Sequence, residues 1–154
     1  MSTYYLDSSG IVKRYVAESG SAWVRVTTES TSGNEVFTSL LSGAEVVAAI
    51  CKRGRMGSLT PQDVTKALSS FKSEFRLNFT VIRVSHQMVE FAMSLAEKHG
   101  LRGYDSVQLA TAVQLHFKRK STDLPPLIFV SADDKLNAAA QAEGLAVENP
   151  NNHP

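Results

Sequence analysis

Five short β-rich runs, Thr3–Leu6, Glu35–Thr38, Thr80–Val84, Leu127–Val130 and Leu145–Val147, alternate with segments of helical periodicity, and no tight hairpin signal joins any two of them. Strands joined without hairpins need long crossovers, and a helix is the usual filling of a crossover between parallel strands. The pattern therefore predicts a parallel sheet with helices on its faces.

The helical segments carry their own start and stop signals. Ile11, Val12, Tyr15 and Val16 form one apolar stripe. Thr60-Pro61-Gln62-Asp63 reads as a helix start, with Thr60 as cap and proline in the first turn, followed by Val64, Ala67, Leu68, Phe71 and Phe75 at helical spacing. Ser85 opens another helix, through Met88, Phe91, Ala92, Leu95 and Ala96, which Gly100 closes. Tyr104–Phe117 is apolar on almost every side and is expected to be deeply buried. Ser131 is the expected cap of a last helix, with Asp134 three residues on, and Glu143-Gly144-Leu145 its end. Linker-like composition is confined to Ser30–Asn34, Lys118–Pro126 and the stretch from Glu148 on, so one domain over residues 1–148 and a tail at 149–154 are expected.

Composition narrows the class. With 43% apolar and 20% charged residues in 154, the chain suits a folded globular domain rather than a disordered one. A net charge of +1 means that any polyanion must be met by local basic patches. The single Cys51 excludes an internal disulfide, and no Cys/His cluster has zinc-finger spacing. The start MSTYYLD lacks a basic, then apolar leader, and no apolar run approaches the ~18 residues of a membrane span. A cytoplasmic protein without a membrane partner is expected.

Four acids sit where a strand or turn gives way to a helix, or within the helix that follows: Asp7, Glu45, Asp105 and Asp133. In an open α/β sheet, ligands bind beyond the carboxyl ends of the strands. Asp7 and Asp133 fall at that edge, and Glu45 and Asp105 lie in the first turns of helices. Carboxylates in apolar surroundings are costly unless a positive charge joins them. The simplest partner for several is a hard divalent cation, Mg²⁺ or Mn²⁺, and that points to phosphodiester chemistry. Each acid also has a plainer reading. Asp7 can cap the helix after it, Glu45 can be a solvated face residue, and Asp105 can complement a helix dipole. The Ser131–Asp134 spacing gives Asp134 a capping role and leaves Asp133 without one.

With their flanks, the four acidic segments are more specific. Leu6-Asp7-Ser8-Ser9-Gly10-Ile11-Val12-Lys13, Ser39-Leu40-Leu41-Ser42-Gly43-Ala44-Glu45, Arg102-Gly103-Tyr104-Asp105-Ser106-Val107-Gln108-Leu109-Ala110-Thr111-Ala112 and Phe129-Val130-Ser131-Ala132-Asp133 resemble, in order and spacing, the PIN domain, in particular its VapC-type toxin branch. The resemblance covers nearly the whole chain and implies a three-layer α/β/α fold around a central parallel sheet. It also implies a metal-dependent ribonuclease, with Asp7, Glu45, Asp105 and Asp133 as catalytic and metal-binding residues and Mg²⁺ or Mn²⁺ as cofactor. Ser131 matches the family's small hydroxyl residue two before the last acid. Gly103 and Tyr104 depart slightly from the small residues common there. The partners it implies are an RNA substrate, a cognate antitoxin that covers the active site, and a second copy of the chain in a homodimer.

Lys13, Arg14 and Arg102 flank the acidic segments and are candidates for phosphate contacts, with ordinary solvated side chains as the equal alternative. Trp23, Tyr4 and Tyr5 read as core, and the four histidines lack ligand spacing. An aspartyl-nucleophile phosphatase is disfavoured because Ser9 stands where a second aspartate is needed. Nucleotide-binding glycine loops and the H-E-x-x-H and G-x-S-x-G motifs are absent. A housekeeping nuclease, or a non-catalytic binding module on the same scaffold, remains the alternative to a toxin.

Overall fold

The first strand, β1 (Thr3–Leu6), forms the centre of a five-stranded sheet that is parallel throughout. The computed structural model describes residues 1–154. On one side of β1 lie β2 (Glu35–Ser39) and β3 (Thr80–Ile82), and on the other β4 (Leu127–Val130) and β5 (Ala146–Glu148), giving the order β3-β2-β1-β4-β5. The chain first builds outward from β1 in one direction and then returns to build in the other. The crevice between β1 and β4 is therefore the switch point of the sheet, where such folds place their sites.

Seven helices cover the two faces: α1 (Ser8–Tyr15), α2 (Ser21–Thr28), α3 (Ser42–Arg55), α4 (Pro61–Leu77), α5 (His86–His99), α6 (Gly103–Ser121) and α7 (Asp134–Ala142). Alternation along the strands divides the core. Tyr5, Leu127 and Phe129 pack with Leu95, Leu109 and Leu136 of α5, α6 and α7, and the Tyr5 and Phe129 rings stack at 5.7 Å. Leu6 and Val130 point the other way, onto Ile11, Ile50 and Phe71 of α1, α3 and α4. The result is the three-layer α/β/α arrangement with a central parallel sheet. No helix is long and apolar enough to cross a membrane.

The expected caps of α4 and α5 form: Thr60 and Ser85 accept from the backbone N–H of Asp63 and Met88, each at 3.1 Å. Gly100 takes the left-handed conformation that ends α5. Other features differ from the sequence reading. Helix α2 carries no clear sequence signal, because Val24, Val26, Thr27 and Thr28 are β-branched and weak helix formers. Tertiary packing overrides that preference: Val24 is fully buried and the Thr28 hydroxyl donates to the Val24 carbonyl. Helix α6 runs four residues into a stretch that reads as linker. The reason is Arg119, whose buried guanidinium reaches the starts of β1 and β2, donating to Thr3 Oγ1 at 2.8 Å and Glu35 Oε2 at 2.9 Å.

Residues 150–152 form a 3₁₀ turn against α2, with the His153 ring stacked on Trp23 at 4.5 Å. Gly20, at φ 83°, permits this contact, since a Cβ there would lie 2.3 Å from the Pro150 carbonyl oxygen. Gly20→Ala is expected to cost about 2–3 kcal/mol of stability. It should also shift the emission of Trp23, the only tryptophan. Urea unfolding followed by that fluorescence checks it, and an unchanged midpoint and spectrum would mean that the tail does not dock on α2.

Candidate active site

Asp7 leaves β1 at the switch point and caps α1. Its Oδ1 accepts from the Gly10 N–H at 2.8 Å and the Ser9 hydroxyl at 2.7 Å. Its Oδ2 accepts from Ser131 Oγ at 2.7 Å, across the crevice from the end of β4. Such closeness needs a small residue in the first turn of α1: a Cβ on Gly10 would lie 3.1 Å from the Val130 carbonyl. Ser131 is itself held, its carbonyl accepting from Asn137 Nδ2 at 2.8 Å. The capping and site readings of Asp7 are thus both realised in one carboxylate. It is 3% exposed and no cation pairs with it. Burial pushes its pKa up to about 6, against hydrogen bonds from Ser131, Ser9 and Gly10 that favour the charged form; the nearby Glu45 charge adds to the rise.

Glu45 lies in the first turn of α3, half-buried. Ser8 donates to its Oε2 at 3.1 Å and Gln108 Nε2 to its Oε1 at 2.7 Å. Burial raises its pKa first, and the Asp105 charge adds to this, while Gln108, Ser8 and Arg102 oppose the rise. Behind it, Gln108 Oε1 accepts from Tyr5 O–H at 2.7 Å and Nε2 also donates to Ser42 Oγ at 2.9 Å. A buried amide thus links the central strand to Glu45 with every bond satisfied.

Asp105, in the first turn of α6, accepts from Arg102 Nε at 2.9 Å. Arg102 Nη2 lies 3.6 Å from Asp133 Oδ2. Sequence spacing points to Ser131 as the cap of α7 and leaves Asp133 without a capping role. In the structure Asp133 is the cap, its Oδ1 accepting from the Leu136 N–H at 3.0 Å. The Ser131 hydroxyl donates to Asp7 and accepts from the Asp133 N–H at 3.1 Å, a tight turn ahead of the helix, so that α7 begins only at Asp134. Asp134 instead accepts from Asn149 Nδ2 at 2.8 Å.

The four acids therefore gather at one edge of the sheet with Arg102 among them. Lys13 and Arg14 do not join them, which corrects their reading as phosphate contacts. Lys13 is buried and donates to Glu18 and the Ser19 carbonyl. Arg14 forks onto Glu74, at 2.7 and 3.0 Å, tying α1 to α4. Sequence reasoning also passed over Ser8, Ser9 and Gln108. The hydroxyl pair directly after Asp7, and an amide within an otherwise apolar helix, were the available signals.

No three of the acids lie close enough together to share one ion, and Arg102 links two of them. The donor set nevertheless suits a hard divalent cation. It is all carboxylate oxygen, and it includes a fully buried aspartate with no positive partner.

A parallel α/β/α sandwich with acids gathered at the switch point of its sheet is the PIN-like fold that the sequence resemblance implies. No family model matches the chain. Ribonuclease VapC45 of Mycobacterium tuberculosis is 27% identical over 147 residues, spanning 96% of this chain and 95% of that protein. The structure of VapBC2 from Rickettsia felis, bound to a DNA fragment from its promoter, is 16% identical with a TM-score of 0.59, over 96% of this chain and 98% of that one. VapC20 of M. tuberculosis, described as a sarcin–ricin loop cleaving toxin, is 13% identical with a TM-score of 0.59, over 88% and 94%. The chain is thus similar, over nearly its whole length, to VapC-type ribonucleases.

The Asp7 environment predicts a pH effect in metal-free protein. An aspartate ionises near 4 in the unfolded chain and this one at about 6 in the folded protein. Below about pH 4 the carboxyl is neutral in both states. As pH rises, the unfolded chain ionises first, so the folded state loses stability until both are charged above about pH 6. The stability of wild type relative to Asp7→Asn is expected to fall by about 2 kcal/mol between pH 4 and pH 7. Denaturant titrations of both proteins in EDTA measure it, and a difference independent of pH would contradict this placement of Asp7.

Proposed function

We propose that the protein is a metal-dependent endoribonuclease, the toxin of a toxin–antitoxin pair. The observation that carries this reading is the gathering of Asp7, Glu45, Asp105 and Asp133, from four separate segments, at the switch point of the sheet. Likeness over 96% of the chain to a protein named a ribonuclease supports it.

In this reading Asp7 and Asp105 would hold Mg²⁺ or Mn²⁺ directly, and Glu45 and Asp133, too far apart at rest to join one ion with them, would complete the site through water or after the acids draw together. The cation supplies activation of water and charge relief on the phosphoryl oxygens. The chain supplies orientation. Ser9, Ser131 and the Gly10 N–H fix both oxygens of Asp7. Ser8 and Gln108 orient Glu45, which in this reading would hold the attacking water. Purified protein is expected to cleave structured cellular RNA with Mg²⁺ or Mn²⁺, and to lose that activity in EDTA or on Asp7→Asn with its circular dichroism unchanged. Gln108→Leu, which releases Glu45, should lower activity about 10–100-fold. Cleavage that survives both EDTA and Asp7→Asn would refute the proposal.

The remaining partners proposed are an antitoxin segment over the acids and a second copy of the chain. The structures of Rickettsia VapBC2 and of a Klebsiella pneumoniae toxin–antitoxin complex support the first. An apolar groove of about 770 Å³ between the starts of α3 and α6 and the side of α5 supports the second. It exposes Met93 and Tyr104 at 66% and 64%, an apolar area that a second copy would cover. Met93→Glu is expected to turn a dimer into a monomer by light scattering, and a wild-type protein that is monomeric at tens of micromolar would rule the dimer out.

A further inference from the structure

Three basic side chains of this fold are committed to its interior. The side chains of Lys13, Arg14 and Arg119 are 6%, 10% and 6% exposed, each tied to a carboxylate and at least one further oxygen. Arg102 is unlike them. Its side chain is 81% exposed, yet its guanidinium links Asp105 at 2.9 Å to Asp133 at 3.6 Å, joining acids from two helices.

Its position is unfavourable for a cation. Arg102 is the cap residue of the nineteen-residue helix α6, where the helix dipole is positive, and its side chain caps nothing. What holds it there is the charge of the acids. Its side chain lies in solvent and holds nothing but the two acids, so the arginine can leave them without disturbing the core.

The oxygens it engages are those a divalent cation would need. Asp105 and Asp133 cannot give the same lone pairs to a guanidinium and to a metal ion. Resting on the metal-dependent ribonuclease reading above, we propose that Arg102 is an internal counter-ion of the acid cluster, displaced when the divalent cation binds and then free to take a phosphate of the RNA. A planar guanidinium suits both tasks, since it matches the fork of a carboxylate and of a phosphate. Arg102 thus links metal loading to substrate engagement, a coupling between two ligands that need not touch each other.

The test begins with Mn²⁺ alone. Calorimetric titration of the full chain is expected to give a dissociation constant about tenfold lower for Arg102→Gln than for wild type, with Arg102→Lys between them. At saturating Mn²⁺, KM for a cleavable RNA should rise about tenfold in Arg102→Gln, by more than kcat falls. Equal or weaker Mn²⁺ binding by Arg102→Gln overturns the counter-ion role while leaving the ribonuclease reading intact. Tighter binding with an unchanged KM overturns the phosphate role. Failure of wild type and variant alike to bind Mn²⁺ overturns the metal-dependent reading itself, and this inference with it.

Discussion

The hydrogen bond from Ser131 to Asp7 closes the crevice at which the sheet reverses its direction of growth, and the acid cluster is arranged around it. Its formation requires that β1 and β4 be parallel neighbours in the register that pairs Leu6 with Val130. It is favoured by a glycine at position 10, which lets α1 begin close against the end of β4. With those conditions met, a charged group buried at 3% exposure is held by three donors instead of by a cation. Buried carboxylates are tolerated when hydrogen-bonded, but they stay electrostatically costly. Asp7 is in that condition, and a positive ligand would relieve it.

The other acids are held by different means, and the differences matter. Glu45 is fixed from behind by Gln108, which is anchored in turn by the hydroxyl of Tyr5 on the central strand. Asp133 is fixed by the end of α7 that it caps. Asp105 has only Arg102, a solvent-exposed side chain. The cluster thus grades from acids held by buried groups and backbone at β1 to one held only by an exposed arginine at the start of α6. Under the proposed function the first side would define position, and the second would yield.

Much of this was legible in the residues. Strands β1 and β4 follow from their β-rich runs with their limits unchanged, and the caps at Thr60 and Ser85 follow from short polar side chains before apolar periodicity. The acids were legible from their places at strand ends and helix starts taken together with their flanking residues, since singly most of them also had a plain structural reading. What escaped depends on tertiary contact. Helix α2 is built from residues that disfavour helices locally and is stabilised by what it packs against. Lys13 and Arg14 are near Asp7 in sequence, but their helix aims them at Glu18 and Glu74, acids that sequence distance from the site gave no reason to weigh. Asp133 proves to be the cap because α7 begins only at Asp134, after a turn in which the Ser131 hydroxyl accepts from the Asp133 N–H and donates to Asp7, a residue 124 positions away.

That separation also governs when the cluster can exist. Because β1 is central and β4 is one of its two neighbours, the first acid made must wait for one of the last segments made before it is held on both sides. A growing chain that has passed α6 contains Asp7, Glu45 and Asp105, yet it lacks Ser131, Asp133 and the second wall of the crevice. Contacts so distant along the chain form late and carry a large loop-closure cost. The order of synthesis therefore keeps a nascent chain without its assembled acid cluster until β4 has been added, a delay written into the strand order alone.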